Sequence, residues 1–301
     1  MFGAMAVTVA QIRRYPLKGL TAETLAEVEL APGETLPHDR RFALALGSTP
    51  VDGPRIGWLP KTSFLSLVNQ EKLAMLHTRF EAESGVLTVE RGGKRVAQGD
   101  VTTAVGRAMI EEFFAAFMGE AARGRPKLVE AAEGEVLSNH SSAVVSIINL
   151  ATVKDLERVT GKPINPARFR GNIYLEGLHP WAEFDWLGKE IAIGGARLEI
   201  TQRIDRCAAT NVDPETAERD LNIPKDLRRG FGHVDLGVYG RVTAAGRVAA
   251  GDRLDLEPIR ITGHGHDAGH FVRWLGVRRA AMRGHRKRRT TTSSGQKARV
   301  P

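Results

Sequence analysis

Glycine and proline interrupt this chain so often that long regular elements are excluded over most of its length. The 301 residues include 32 Gly and 14 Pro, and the apolar runs between them are short. Strands tolerate frequent glycine and proline residues better than helices do, because a strand needs only a few residues between two turns. The best candidate for a membrane span, at 143–150, is far shorter than the roughly 18 residues that a transmembrane helix requires. The sequence predicts a β-rich globular protein.

Positive charge is concentrated at one end of the chain. The net charge is +8, but eleven of the 43 Lys and Arg residues, and only one of the 35 acidic residues, lie within 258–301. The rest of the chain therefore has two more acidic than basic residues, which argues against a broad nucleic-acid surface on the folded part. We expect 258–301 to be a basic, disordered tail. Its GHGHDAGH run, with His264, His266 and His270, can bind a divalent metal or be merely solvated.

Cys207 is the only cysteine, which excludes an intrachain disulfide framework and a cysteine-ligated iron–sulfur cluster. The N-terminus lacks the pattern of a secretory signal, so we expect a soluble, cytoplasmic protein. Cys207 directly follows an apolar strand pattern, at a place where sites are often built. If Arg203 and Arg206 face the thiol, they favour the thiolate, which is a nucleophile and a soft-metal ligand. The alternative is a small buried apolar side chain.

The hydrophobic pattern predicts a mainly β fold with scattered helices (α+β). About ten short strands are expected, together with helices over 102–118, over 150–159 with Asn149 as N-cap, and over 215–221 after Asp213 and Pro214. A polar stretch around 120–135 suggests a boundary between domains. We therefore predict a first β-barrel-like domain at 6–125, a second β-barrel domain at 126–257 and the tail at 258–301.

Three further segments carry basic side chains at strand ends. In 168–172 (RFRGN), two arginines, a glycine and an asparagine can hold a phosphate or another oxyanion; the alternative is a solvated basic turn. In 15–19 (YPLKG), a strand enters a proline turn that projects Lys18. In 39–42 (DRRF), the default explanation is an exposed ion pair.

Taken in order, YPLKG, DRRF, RFRGN and RCAATNVDPET (206–216) resemble the MOSC family, named for the C-terminal domain of molybdenum cofactor sulfurases. The closer resemblance is to the branch with an N-terminal MOSC β-barrel domain, which includes the mitochondrial amidoxime-reducing component. It covers about residues 6–257. Two departures stand out. The branch often has Lys-Ser where this chain has Lys18 and Gly19, and the loop at 138–142 reads SNHSS.

The resemblance implies a molybdenum cofactor, held as molybdopterin. By this resemblance Cys207 is the molybdenum ligand and the catalytic residue. The cofactor-binding residues implied in the same way are Lys18, Arg40, Ser141, Ser142, Arg170, Asn172 and Arg206. At the level of the whole family, pyridoxal phosphate binding is also implied.

The activity implied by the resemblance is reduction of N-hydroxylated or N-oxide-type substrates by oxygen-atom transfer. Since the chain has no cysteines for a cluster of its own, an external ferredoxin- or flavin-type electron donor is expected. Two alternatives stay open. In one, Cys207 carries sulfur or cofactor without redox turnover; in the other, the basic tail binds a partner and the body is a scaffold.

Overall fold

The computed structural model describes residues 6–256, so the predicted basic tail, with His264, His266 and His270, lies outside the described residues. The strands are β1 (Thr8–Arg14), β2 (Glu23–Leu25), β3 (Glu27–Leu30), β4 (Phe42–Ala45), β5 (Arg55–Ile56), β6 (Leu76–Glu81), β7 (Val86–Arg91), β8 (Lys94–Asp100), β9 (Lys127–Ala131), β10 (Val145–Asn149), β11 (Ile173–Glu176), β12 (Glu190–Ile193), β13 (Ala196–Asp205), β14 (Asp235–Ala244), β15 (Gly246–Ala249) and β16 (Leu254–Leu256). The α-helices are α1 (Ala104–Met118), α2 (Leu150–Thr160) and α3 (Ile223–Phe231).

The largest sheet has eight strands in the order β16-β12-β13-β14-β10-β11-β1-β2. β1 pairs antiparallel with β11, and β11 pairs parallel with β10. The sheet buries one main apolar cluster, in which Val9 and Ile12 of β1 pack with residues of β10–β14. The predicted mainly β, α+β fold class is confirmed.

Three smaller sheets complete the described fold: β4-β9-β5, β6-β7-β8 and β15-β3. Helix α1 packs closely on β8 because two glycines meet there. A Cβ on Gly106 would lie 2.0 Å from the backbone oxygen of Asp100, and a Cβ on Gly99 would lie 2.3 Å from that of Gly106. A second apolar cluster, containing Ile110 and Phe114 of α1, fills the space beneath.

Two of the three predicted helices are confirmed, the second of them with its predicted N-cap, Asn149. Thr103 accepts a hydrogen bond from the Gly106 N–H at the start of α1, and Asn149 accepts one from the Ala151 N–H at the start of α2. Gly161 ends α2 in the left-handed conformation, which costs glycine little. In the part of the chain that the structure describes, no helix is both long and apolar enough to cross a bilayer.

The predicted helix over 215–221 is wrong. Asp213 does accept hydrogen bonds from the N–H groups of Glu215 and Thr216, as a helix cap would. However, Ala217 has φ +60°, and the Asp213 N–H closes a loop onto Glu218 O at 2.7 Å, so the turn does not propagate. The helix begins later, at α3, where the Asn222 side chain accepts from the Lys225 N–H.

The polar stretch 120–135 contains a strand that the sequence analysis did not predict. β9 lies there, between β4 and β5. The division into domains at residue 125 stays a prediction. Strands on the two sides of this predicted boundary nevertheless pair with each other, since β1 pairs with β11 and β3 pairs with β15.

Candidate functional site

One cavity of about 390 Å³ brings the four sequence motifs together. Its volume is within the range of small-molecule and cofactor sites, roughly 300–1,000 Å³. Among the predicted site residues, those that line the cavity are Lys18, Arg40, Arg170, Asn172, Arg206 and Cys207. Ser141 and Ser142 are exposed and are not among the lining residues, whereas Ser138, Asn139 and His140 of the same loop are. A cofactor contact by either serine stays a prediction.

Cys207 lies just beyond the end of β13 and is partly exposed. It begins a short 3-10 helix over Ala208–Asn211. The backbone oxygen of Cys207 accepts from both the N–H and the hydroxyl of Thr210, at 3.0 and 2.8 Å. The thiol therefore stands at a fixed point on the cavity wall rather than in the apolar core.

The two arginines near Cys207 have different roles. Arg206 is buried, and its guanidinium donates to Phe169 O at 2.9 Å and to Leu236 O through Nε at 2.8 Å. Burial lowers the pKa of Arg206. Arg203 is exposed and lies over the Phe184 ring at 4.2 Å, and it does not line the cavity. Of the two, only Arg206 adds positive charge to the cavity wall.

Arg170 and Asn172 precede β11 and are held in different ways. Arg170 has φ +53°, and its Nη1 donates to Leu20 O at 2.6 Å. Burial lowers the pKa of Arg170 to about 10. Asn172 is buried, and its Oδ1 accepts from the N–H and hydroxyl of Ser146 at 3.1 and 2.7 Å, while Nδ2 donates to Arg13 O at 3.1 Å. Asn172 joins β10, β11 and β1 at the cavity.

Arg40 is not the exposed ion pair that the default reading of DRRF predicts. Its guanidinium forms an ion pair with Asp39, and its Nη2 donates to Arg170 O at 2.7 Å. Asp39 is itself buried and accepts from the Tyr15 N–H at 2.7 Å. The Tyr15 ring contacts two guanidinium carbons, at 4.5 Å from Arg40 and 4.3 Å from Arg170. Tyr15 of YPLKG and Arg40 of DRRF thereby contact Arg170 of RFRGN.

Lys18 is a buried cation on the same wall. Its Nζ donates to Leu137 O at 2.8 Å and to Ser138 O at 3.0 Å. Burial, together with repulsion from Arg40, Arg170 and Lys61, lowers the pKa of Lys18 to about 7. An anion in the cavity would favour the charged form of this lysine.

Arg168, the other arginine of RFRGN, is committed to ion pairs. Its Nη2 lies 2.7 Å from Asp213 and 2.6 Å from Asp220, and its side chain is 1% exposed. Its Nη1 donates to Asn211 O at 3.0 Å. Arg168 therefore anchors the chain that follows Cys207, and its guanidinium is not free to bind an oxyanion.

Sequence reasoning missed two cavity residues, Tyr239 and Ser146. Tyr239 lies in the middle of β14, and its ring is 5.2 Å from the His140 ring. Ser146 lies in β10 and binds Asn172. Both belong to plain strand patterns without a flanking motif, so only the strand register could have revealed them.

The cavity is strongly basic although the body of the chain is not. Its lining residues include six cations, Lys18, Arg40, Lys61, Arg168, Arg170 and Arg206, but only two carboxylates, Asp39 and Asp205. Such a surface suits a phosphate-bearing ligand. Within residues 6–256, no three His, Cys, Asp or Glu side chains cluster in a way that could hold a metal ion. A metal bound at Cys207 would need its other ligands from a cofactor, and a dithiolene with a phosphate fits this donor set.

Comparison with known proteins finds a family model that matches part of the chain. Residues 134–255 match the model of the MOSC domain. Mitochondrial amidoxime-reducing component 1 from Mus musculus is 27% identical over 107 residues, which are 35% of this chain and 31% of that protein. Molybdenum cofactor sulfurase from Caenorhabditis elegans is 30% identical over 121 residues, 39% of this chain and 17% of that protein. The chain thus spans less than a third of the length of these relatives.

Among solved structures, the YUAD protein from Bacillus subtilis matches 83% of this chain and 94% of its own, with 12% identity and a TM-score of 0.39. YiiM from Geobacillus stearothermophilus matches 39% of this chain and 56% of its own, with 23% identity and a TM-score of 0.32. The match confirms the resemblance to the MOSC family; RFRGN and RCAATNVDPET lie within the matched residues, whereas YPLKG and DRRF precede them. Over residues 134–255 this chain is similar to the MOSC domain.

Proposed function

We propose that this protein is a molybdenum-cofactor oxidoreductase that reduces N-hydroxylated or N-oxide-type substrates by oxygen-atom transfer. One observation carries the proposal: the partly exposed thiol of Cys207 shares a single basic cavity with Lys18, Arg40 and Arg170. These residues come from four separated motifs. A cofactor with a soft metal and a phosphate needs both a thiolate and cations in one place.

Each residue has a distinct role in this proposal. Cys207 supplies the thiolate that binds the metal. Arg170, Arg40 and Lys18 attract the phosphate and the polar edge of the pterin, and Asn172 and Arg206 fix the backbone around them. The cofactor, when bound, supplies the two-electron redox chemistry, while the protein sets its position and electrostatic surroundings.

Electrons come from an external donor of the ferredoxin or flavin type. The single cysteine of the chain supports this part of the proposal, because it leaves no ligands for an iron–sulfur cluster. Pyridoxal phosphate binding stays a family-level prediction.

The first test is metal and pterin analysis of the protein purified from a host that makes molybdenum cofactor. We expect near-stoichiometric molybdenum, loss of the metal in Cys207→Ala, and loss of both metal and pterin in Arg170→Gln. Arg203→Gln is the matched control, since Arg203 packs on Phe184 outside the cavity lining. Absence of molybdenum and pterin from the unmodified protein would refute the proposal.

A second candidate function is a sulfur carrier. The partial exposure of Cys207 and the similarity to a protein named molybdenum cofactor sulfurase favour it. In this case intact-mass analysis after incubation with a cysteine desulfurase and cysteine would show a persulfide, one added sulfur on Cys207, that is absent from Cys207→Ala. Little metal would copurify, and no N-hydroxylated substrate would be turned over.

A further inference from the structure

We propose that His140 is the general acid of this reaction, delivering a proton to the oxygen that leaves the substrate nitrogen. The inference rests on the proposed function and adds a catalytic residue to it. His140 belongs to the SNHSS loop, where this chain departs from the pattern of the family it resembles, so nothing about the residue is carried over from relatives.

The imidazole is placed on the wall of the reaction cavity. His140 lines the cavity together with Cys207, and its ring lies 5.2 Å from the ring of Tyr239. Tyr239 in turn interacts electrostatically with Arg206, Arg40, Asp205 and Cys207, so this face of β14 borders the thiol. His140 is also partly exposed, which lets solvent restore its proton after each turnover.

The backbone of Ser142 offers His140 a partner in either protonation state. The ring Nδ1 lies 3.1 Å from the Ser142 N–H nitrogen and 3.2 Å from the Ser142 carbonyl oxygen. The charged ring donates from Nδ1–H to the carbonyl and holds its second proton on Nε2. When the Nε2 proton leaves, the neutral ring is the Nδ1–H tautomer, which keeps the bond to the carbonyl, whereas the Nε2–H tautomer would accept from the Ser142 N–H instead. Because neither form loses its local hydrogen bond, the ring can give up and regain a proton at Nε2 without moving.

Four hydrogen bonds hold this loop on the cavity wall. The Ser138 hydroxyl donates to His140 O at 2.6 Å and accepts from the His140 N–H at 3.0 Å. Ser138 O accepts from Lys18 Nζ at 3.0 Å and from the indole N–H of Trp58 at 3.2 Å. These hydrogen bonds fix the loop that bears the imidazole, and a general acid requires such a fixed position.

Neighbouring groups are less suited to the proton transfer. Burial raises the pKa of Tyr239, so its phenol is a weak acid at neutral pH. Lys18 already donates to two backbone carbonyls. Four of the other charged groups that line the cavity are arginines, which are permanent cations. The remaining three are the carboxylates of Asp39 and Asp205 and the amine of Lys61.

The proton balance of the reaction shows why such a group is needed. Reduction of an N–OH group breaks the N–O bond and consumes two electrons and two protons, giving N–H and water. The external donor supplies the electrons. The leaving hydroxyl already carries one hydrogen, His140 supplies the second, and the nitrogen takes its proton from solvent.

Kinetics of His140→Ala and His140→Asn test this role. Asn can replace the Nδ1 contacts to Ser142 but has no transferable proton. We expect both variants to retain molybdenum and pterin, to lower kcat by about a hundredfold or more with KM little changed, and to flatten the pH profile of kcat. Added imidazole should restore activity to His140→Ala. His179→Gln is the control, because His179 is exposed and outside the cavity lining.

Long-range ¹⁵N–¹H spectra of histidine-labelled protein give a readout that does not depend on activity. The His140 signal, identified by its loss in His140→Ala, should show the Nδ1–H tautomer in its neutral form. A neutral Nε2–H tautomer, or unchanged kcat and pH profile in fully metallated His140→Asn, would overturn the proposal for His140. Absence of molybdenum from the unmodified protein would instead refute the proposed function.

Discussion

Replacing Arg168 with methionine should destabilise the protein far more than the same replacement at an exposed ion pair. Arg168 is 1% exposed and donates to Asp213, Asp220 and the backbone oxygen of Asn211, all in the segment that follows Cys207. Methionine fills a similar volume but makes none of these bonds. The substitution leaves two carboxylates and a carbonyl facing an apolar side chain.

The magnitude follows from the exposure of the partners. A hydrogen bond to a charged group contributes about 1.5–3 kcal/mol, and breaking a buried pair costs about 3–5 kcal/mol. The carboxylates of Asp213 and Asp220 are 19% and 32% exposed, so water replaces part of what they lose. We therefore expect Arg168→Met to lower the free energy of unfolding by about 3–5 kcal/mol, not by the sum of three separate bonds.

Urea unfolding followed by circular dichroism measures this loss. Arg158→Met is the matched control, because Arg158 is 69% exposed and pairs with Asp155 one helical turn away. It should cost no more than about 0.5 kcal/mol. Partial burial opposes ionisation of Asp213, but the N–H groups of Thr216 and Glu215 and the charge of Arg168 outweigh it and lower its pKa. Because the pKa of Asp213 is lower in the folded than in the unfolded chain, its carboxylate stabilises the fold at pH values above its ordinary pKa, and this stabilisation is lost as the pH falls. Arg168→Met should therefore make the free energy of unfolding depend less on pH in the acid range. Equal losses in the two variants would refute the reasoning.

Two further predictions concern the cavity and the packing of α1. Because the pKa of Lys18 is about 7, sulfate should bind the cavity about tenfold more weakly as pH rises from 6 to 8, which is about 1.4 kcal/mol for one lost charge. Calorimetric titration should show this pH dependence of sulfate affinity in the native protein and in Lys61→Met but not in Lys18→Met. The same pH dependence in Lys18→Met would contradict its attribution to Lys18. Gly106→Ala should lower the free energy of unfolding by about 1–3 kcal/mol or more, since the new methyl group would meet the Asp100 backbone 2.0 Å away. Gly134→Ala, where no atom lies within 4 Å of the added carbon but φ is +75°, separates backbone strain from steric clash and should cost less.

The sequence predicted what local chemistry determines and missed what distant contacts determine. The predicted N-cap Asn149 follows from hydrogen bonding within one turn, and α1 and α2 formed where the pattern placed them. Asp213 gave an equally good local signal for a helix. There the competing loop to Glu218 prevailed, because ion pairs with Arg168 hold that segment elsewhere.

The candidate site shows the same division. The motifs around Lys18, Arg40, Arg170 and Cys207 were visible because basic or thiol groups stood beside glycine, proline or strand ends. Their convergence on one cavity was implied only by a family resemblance, since no spacing in the sequence relates Lys18 to Cys207. Tyr239 was invisible, because its place at the cavity depends on the pairing of β14 with β10 and β13.

The pairing of β1 with β11 has a consequence for synthesis of the chain. Thr8 and Glu176 are partners in the register, and 168 residues separate them. At the usual rate of about 5–20 residues per second, β1 waits roughly 8 to 34 s after it is made before β11 has been translated. During this interval Val9 and Ile12, which end up in the main core, have no native partner in the large sheet on that side. The cavity wall held by Arg13 and Asn172 therefore forms only after more than half of the 301 residues have been synthesised.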